Sequence, residues 1–135
     1  MPHLVILYSA NLDAEADIGA LCRSLADTML AQRDEAGKPV FPPGGTRVFA
    51  YPAPHFAVAD GSRDYAFAYL NLRMGRGRSE ATQQRIGAAL LATAKATFEP
   101  IQARRLVGVT VQIDVGAEVF DAKLSNIHAL FDKKG

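Results

Sequence analysis

The sequence predicts an α/β (α+β) fold made of two βαβ units, in which a four-stranded sheet carries two helices on one face. Three observations carry that expectation. Apolar or alternating runs short enough for strands occur at four places, two longer stretches repeat apolar residues at helical spacing, and both halves follow the order strand, long helix, strand. A crossover helix makes its flanking strands parallel, and two right-handed crossovers put both helices on the same side of the sheet. The opposite face is then bare and needs a partner, so the architecture itself points to an oligomer. No residue-by-residue repeat links the halves. A length of 135 residues suits one domain over 1–135.

The first strand is His3 to Tyr8 (HLVILY), an almost wholly apolar run suited to burial on both faces. After a polar turn over Asn11 to Glu15, apolar residues at Ile18, Leu21, Cys22, Leu25 and Met29 mark one face of a helix expected to reach Gln32 or Arg33. Asp34 to Gly45 holds three prolines and three glycines and reads as a loop. Arg47 to Tyr51 is extended and is expected to stop at Pro52. A turn at Asp60 to Arg63 leads to an aromatic-rich strand, Tyr65 to Arg73, and then to a loop over Met74 to Arg78. Ser79 is a helix cap with Glu80 in the first turn, followed by Ile86, Leu90, Ala94 and Phe98 at helical steps, with Pro100 near the helix end. Leu106 to Val115 alternates: Val107, Val109, Val111, Ile113 and Val115 point one way, Gly108, Thr110, Gln112 and Asp114 the other.

Composition narrows the function. Fifteen basic and fourteen acidic side chains leave a formal net charge of +1, so no global field draws the chain to nucleic acid or an anionic membrane. Any attraction for anions is local. No apolar run approaches the roughly 18 to 20 residues of a membrane span. A single cysteine and an amino terminus without signal-peptide character give the expectation of a reducing, cytoplasmic setting.

Familiar catalytic signatures are missing: there is no nucleophile elbow, phosphate-binding loop, paired-cysteine metal motif or helical double-histidine zinc motif. His3, His55 and His128 are far apart in sequence and indicate no metal site, and Cys22, on an apolar helix face, reads as core. MGRGRS (Met74 to Ser79) lacks the full dinucleotide fingerprint, but Arg76 and Arg78 stand before a helix start, where the dipole disfavours cations. They are either solvated surface arginines or, for at least one of them, part of an anion site. Pro2 is the remaining candidate. A proline after the initiator methionine usually has no function, yet this one opens a buried strand in a chain with no other obvious base. Removal of Met1 turns it into a secondary amine whose proton affinity burial and nearby arginines would lower, leaving a neutral base.

Four segments together resemble the 5-carboxymethyl-2-hydroxymuconate isomerases of the tautomerase superfamily: MPHLVI, FPPGGTRV, ADGSRDYAFAYLNLRMGRGRS and SNIHALF. Relatives in that superfamily include 4-oxalocrotonate tautomerase and macrophage migration inhibitory factor. The resemblance spans nearly the whole chain and implies a homotrimer of double βαβ subunits with no metal or organic cofactor. It implies that Pro2 moves the proton and that Arg47 and Arg78 hold carboxylates of a small, multiply charged substrate, in the breakdown of aromatic compounds such as homoprotocatechuate. Arg76 stands where the family has a small residue. Two other functions fit the same fold: a tautomerase of another keto or enol acid, and a trimeric binding protein without catalysis.

Overall fold

The computed structural model describes residues 2–116 and 118–132. Six elements build the domain: β1 (His3–Ser9), α1 (Ile18–Leu30), β2 (Arg47–Ala53), β3 (Tyr65–Gly75), α2 (Glu80–Gln102) and β4 (Leu106–Gly116). The strands lie in the order β2-β1-β3-β4. β1 pairs parallel with β2, and β3 pairs parallel with β4, as each crossover helix requires. The two units meet where β1 runs antiparallel to β3.

Side-chain alternation divides the sheet into a covered and an open face. Leu4, Ile6 and Tyr8 of β1 and Ala66, Ala68, Leu70, Leu72 and Met74 of β3 are buried under the helices. α1 contributes Leu21, Leu25 and Met29 to this core, and α2 contributes Ile86, Leu90, Ala94, Phe98 and Ile101. The helices touch through Thr28 and Thr93, whose hydroxyls are 2.6 Å apart. Each helix starts on a side-chain cap: Asp17 accepts from the Ala20 N–H at 3.0 Å and Ser79 from the Thr82 N–H at 3.1 Å. The strand and helix segments expected from the sequence are all present, with the helices on one face.

Element ends differ from the sequence reading in ways that packing explains. α1 stops at Leu30, not Gln32 or Arg33, because the Gln32 carbonyl accepts the Val40 N–H at 3.1 Å and draws the chain into a short antiparallel bridge between Arg33 and Pro39. β2 continues through Pro52 to Ala53. It is an edge strand, where a missing N–H costs no ladder bond. β3 runs on to Gly75, since β4 pairs with it along its full length.

The last segment forms a single 3-10 turn, His128–Phe131, lying against a second at Pro43–Gly45. Their contact requires glycine: a Cβ on Gly44 would fall 2.7 Å from the His128 Cα. The FPPGG and NIHALF segments are therefore two halves of one packing contact, which ties residues 118–132 back over the start of β2.

Leu70 is fully buried on the internal strand β3. Leu70→Ala should lower unfolding free energy by about 2–5 kcal/mol, read from the shift in the urea midpoint.

Candidate functional site

The open face of the sheet carries one polar row near the amino-terminal end of β1. His3 is paired in register with Arg47 of β2 on one side and Arg73 of β3 on the other, and Arg73 is paired in turn with Asp114 of β4. Residues opposite one another across neighbouring strands point to the same face, so these four side chains form a line. The next row holds Phe49, whose ring meets the His3 imidazole edge-on with centroids 6.2 Å apart.

Over this row lies a cavity of about 510 Å³, lined by His3, Arg47, Arg73, Met74 and Gly116 from the sheet. Glu118 and residues Asp121 to Ser125 close its other side. These come from the strap that the Gly44–His128 contact anchors at its far end. Within the strap, Lys123 Nζ binds Asp121 Oδ2 at 3.1 Å, and this pairing holds the Asp121 carboxyl below its ordinary range. The charges of Arg47 and Arg73 are not spent in this way. Among the described residues neither guanidinium has a carboxylate within ion-pair distance. The carboxylate of Asp114, next to Arg73 in the row, accepts instead from Asn71 at 2.9 Å.

His3 is half-buried, and its pKa lies below the ordinary 6.5, first through burial and then through the Arg47 charge. At neutral pH the imidazole is therefore uncharged.

Pro2 is buried immediately ahead of β1, next to His3 in the chain, and is not itself among the residues that line the cavity. Met1 lies outside the described residues. Arg47 lines the cavity, half-buried at the first position of β2. Arg78 does not line it: its guanidinium donates to the Val40 carbonyl at 2.9 Å and the Gly75 carbonyl at 3.3 Å, clamping the loop after α1 to the end of β3. It remains close to the cavity wall, because a Cβ on Gly75 would lie 3.9 Å from Arg78 Nη1 and 3.8 Å from Glu118 Oε1. Arg76 is exposed on the loop before α2. The sequence reading missed Arg73, Lys123 and Glu118. Only strand pairing reveals Arg73, whose distance of 26 positions from Arg47 in the chain conceals that both flank His3.

Cys22 is half-buried against the core and burial raises its thiol pKa, which keeps it protonated and poorly nucleophilic. Among the described residues, no three His, Cys, Asp or Glu side chains are grouped to hold a metal ion. No helix among the described residues is long and apolar enough to cross a membrane.

Residues 2–131 match the family model for 5-carboxymethyl-2-hydroxymuconate isomerase. The chain belongs to the 5-carboxymethyl-2-hydroxymuconate isomerase family. A 5-carboxymethyl-2-hydroxymuconate Delta-isomerase of Escherichia coli is 30% identical over 131 residues, covering 97% of this chain and 99% of its own. A solved 5-carboxymethyl-2-hydroxymuconate delta-isomerase is 61% identical with a TM-score of 0.95, over 100% of this chain and 95% of that one. A 5-carboxymethyl-2-hydroxymuconate isomerase from Deinococcus radiodurans R1 is 35% identical with a TM-score of 0.87, over 98% and 95%. More distant structures share the fold alone. A symmetric trimer of fused 4-OT is 17% identical with a TM-score of 0.60, over 93% of this chain and 91% of that one. A macrophage migration inhibitory factor-like protein of Entamoeba histolytica is 11% identical with a TM-score of 0.50, over 85% and 90%. The tautomerase-like, double βαβ fold expected from the sequence is the one observed.

The His3 environment fixes a pH dependence. Between the unfolded pKa of 6.5 and the lower folded value, the unfolded chain takes up a proton that the folded chain refuses. Stability should be constant with respect to His3 above that window and fall as pH drops through it. An NMR titration of the His3 ring should give a midpoint below 6.5; a midpoint at or above that value would contradict the burial argument.

Proposed function

We propose that this chain isomerises 5-carboxymethyl-2-hydroxymuconate by proton transfer through the amine of Pro2, with no metal or organic cofactor. The observation that carries the reading is the placement of buried Pro2 at the head of β1, adjacent in the chain to His3, which lines a cavity together with its register partner Arg47, a guanidinium with no carboxylate partner among the described residues. Family membership supplies the substrate class, because the relatives named above are isomerases of that compound.

In this reading the methionine-free chain presents the Pro2 nitrogen as a secondary amine. A model α-amino group titrates at about 7.7 to 8.0 and a secondary amine is more basic, so the site must favour the neutral form. Burial and the Arg47 charge both do so. The neutral nitrogen takes the proton of the 2-hydroxyl group. The C2–O bond becomes a carbonyl, the double bonds shift along the chain, and the same nitrogen returns the proton to the carbon at the far end of the conjugated unit. Nothing is oxidised or reduced. Arg47 holds a carboxylate by paired hydrogen bonds and stabilises the enolate charge as it grows. Arg78 is the second proposed carboxylate residue; its clamp on Gly75 and Val40 keeps a cation fixed behind the cavity wall.

The open sheet face supports a homotrimer. It exposes Leu7, Tyr51 and Leu106, and the strap adds Val119, Phe120 and Leu124. A set of apolar side chains this large is more than a lone small domain keeps in water. Three sheets facing inward would cover it.

The test compares three forms of the protein by the loss of dienol absorbance: the methionine-free parent, Pro2→Ala, and a form with an unprocessed amino-terminal extension. The parent should sediment as three chains and show a rate that rises with pH through the Pro2 pKa. Pro2→Ala keeps a free amine of lower basicity and should retain partial activity. The extended form has an amide at Pro2 and should fall to the buffer rate with its circular dichroism unchanged. Equal turnover by the extended form would eliminate Pro2 as the base. Acceleration of phenylpyruvate tautomerisation by a parent inert on the dienol would shift the substrate to another enol acid.

A further inference from the structure

We propose that Arg73 is a substrate-binding residue that selects for the third carboxylate of a tricarboxylate, a role resting on the isomerase reading above. Arg47 and Arg73 occupy equivalent places on either side of His3, one on β2 and one on β3. Neighbouring strands are spaced about 4.8 Å apart, so the two arginines are rooted roughly 10 Å apart across β1. Both line the same cavity and both lack a carboxylate partner among the described residues. The neutral imidazole between them adds no competing positive charge.

Other charges around the cavity leave Arg73 available. Lys123 is engaged by Asp121, and Asp114 by Asn71. Glu118 also lines the cavity, but its carboxylate lies near Gly75, on the Arg78 side of the wall. Arg78 spends two donors on backbone carbonyls, whereas Arg73 spends none on the described protein groups. A row with two unpaired guanidinium groups rooted on opposite sides of His3 is built for a ligand with separated anionic groups. In this assignment Arg47, the half-buried one of the two, takes the carboxylate at the reacting end. Arg73, the more exposed of the two in the single chain, takes the carboxylate of the side arm. The carboxymethyl arm distinguishes the tricarboxylate from 2-hydroxymuconate, the dicarboxylate with the same dienol and no arm.

The experiment measures turnover of both compounds by methionine-free parent, Arg73→Met and Arg73→Lys, together with calorimetric binding of tricarballylate and glutarate as inert probes. Arg73→Met should raise KM for the tricarboxylate about ten- to a hundredfold while leaving kcat and 2-hydroxymuconate turnover near parental values. Arg73→Lys should recover part of the loss, since it restores the charge without the fork. Tricarballylate affinity should fall with the Met variant and glutarate affinity should not. Equal losses on both substrates, or no loss on either, would overturn the role of Arg73 while leaving the isomerase reading intact. Arg73-dependent tricarballylate binding by a parent with no turnover would overturn the isomerase reading and leave the anion site standing. A parent that neither turns over nor binds would overturn both.

Discussion

The position of β1 between β2 and β3 is the constraint on which the rest of the structure depends. A chain terminus usually frays because nothing holds it, and here the first strand is internal and paired on both edges. Pro2 is buried just ahead of that strand, and the pairing fixes His3 between two arginines drawn from opposite halves of the chain. The same register puts Leu4, Ile6 and Tyr8 beneath the helices. A slip of one residue in β1 would exchange its two faces, exposing Leu4, Ile6 and Tyr8 and turning His3 away from the arginines into the core, so the packing that stabilises the fold also specifies the site.

The sheet thus has two contrasting faces. One is covered by α1 and α2 and supplies the hydrophobic stability. The other carries the polar row at one end and exposed Leu7, Tyr51 and Leu106 elsewhere. The strap from Glu118 onward crosses only the polar end, and its anchor is the contact of Gly44 with His128. This explains why two short segments distant in sequence, FPPGG and NIHALF, both belong to the family resemblance: they pack on each other, and through that contact the cavity acquires its second wall.

Much of this architecture is legible in the sequence because it depends on local periodicity. The alternation of Leu106 to Val115, the cap at Ser79 and the apolar stripe of α1 each follow from neighbours within a few positions. Pro52 misleads because its effect depends on whether its strand is internal or at an edge, which no local pattern records. Of the candidate site residues read from the sequence, Arg47 lines the cavity, Pro2 is buried beside its neighbour His3, and Arg78 is engaged with Gly75 and Val40. Arg73 is not legible. A lone charge in an aromatic-rich strand looks like any solvent-facing residue until the pairing of β1 with β3 shows what it faces. The strap residues are hidden for the same reason, since their role comes from where the chain is led after β4.

The central claim is that this end of β1 makes the Pro2 amine a neutral base at working pH, through burial and the Arg47 charge. The most direct measurement is an NMR titration of the Pro2 nitrogen in 15N-proline-labelled, methionine-free protein, beside Arg47→Met. The account predicts a pKa below that of an ordinary α-amino group, about 7.7 to 8.0, and an upward movement when the Arg47 charge is removed. A Pro2 nitrogen that titrates as an ordinary secondary amine, indifferent to Arg47, would contradict it.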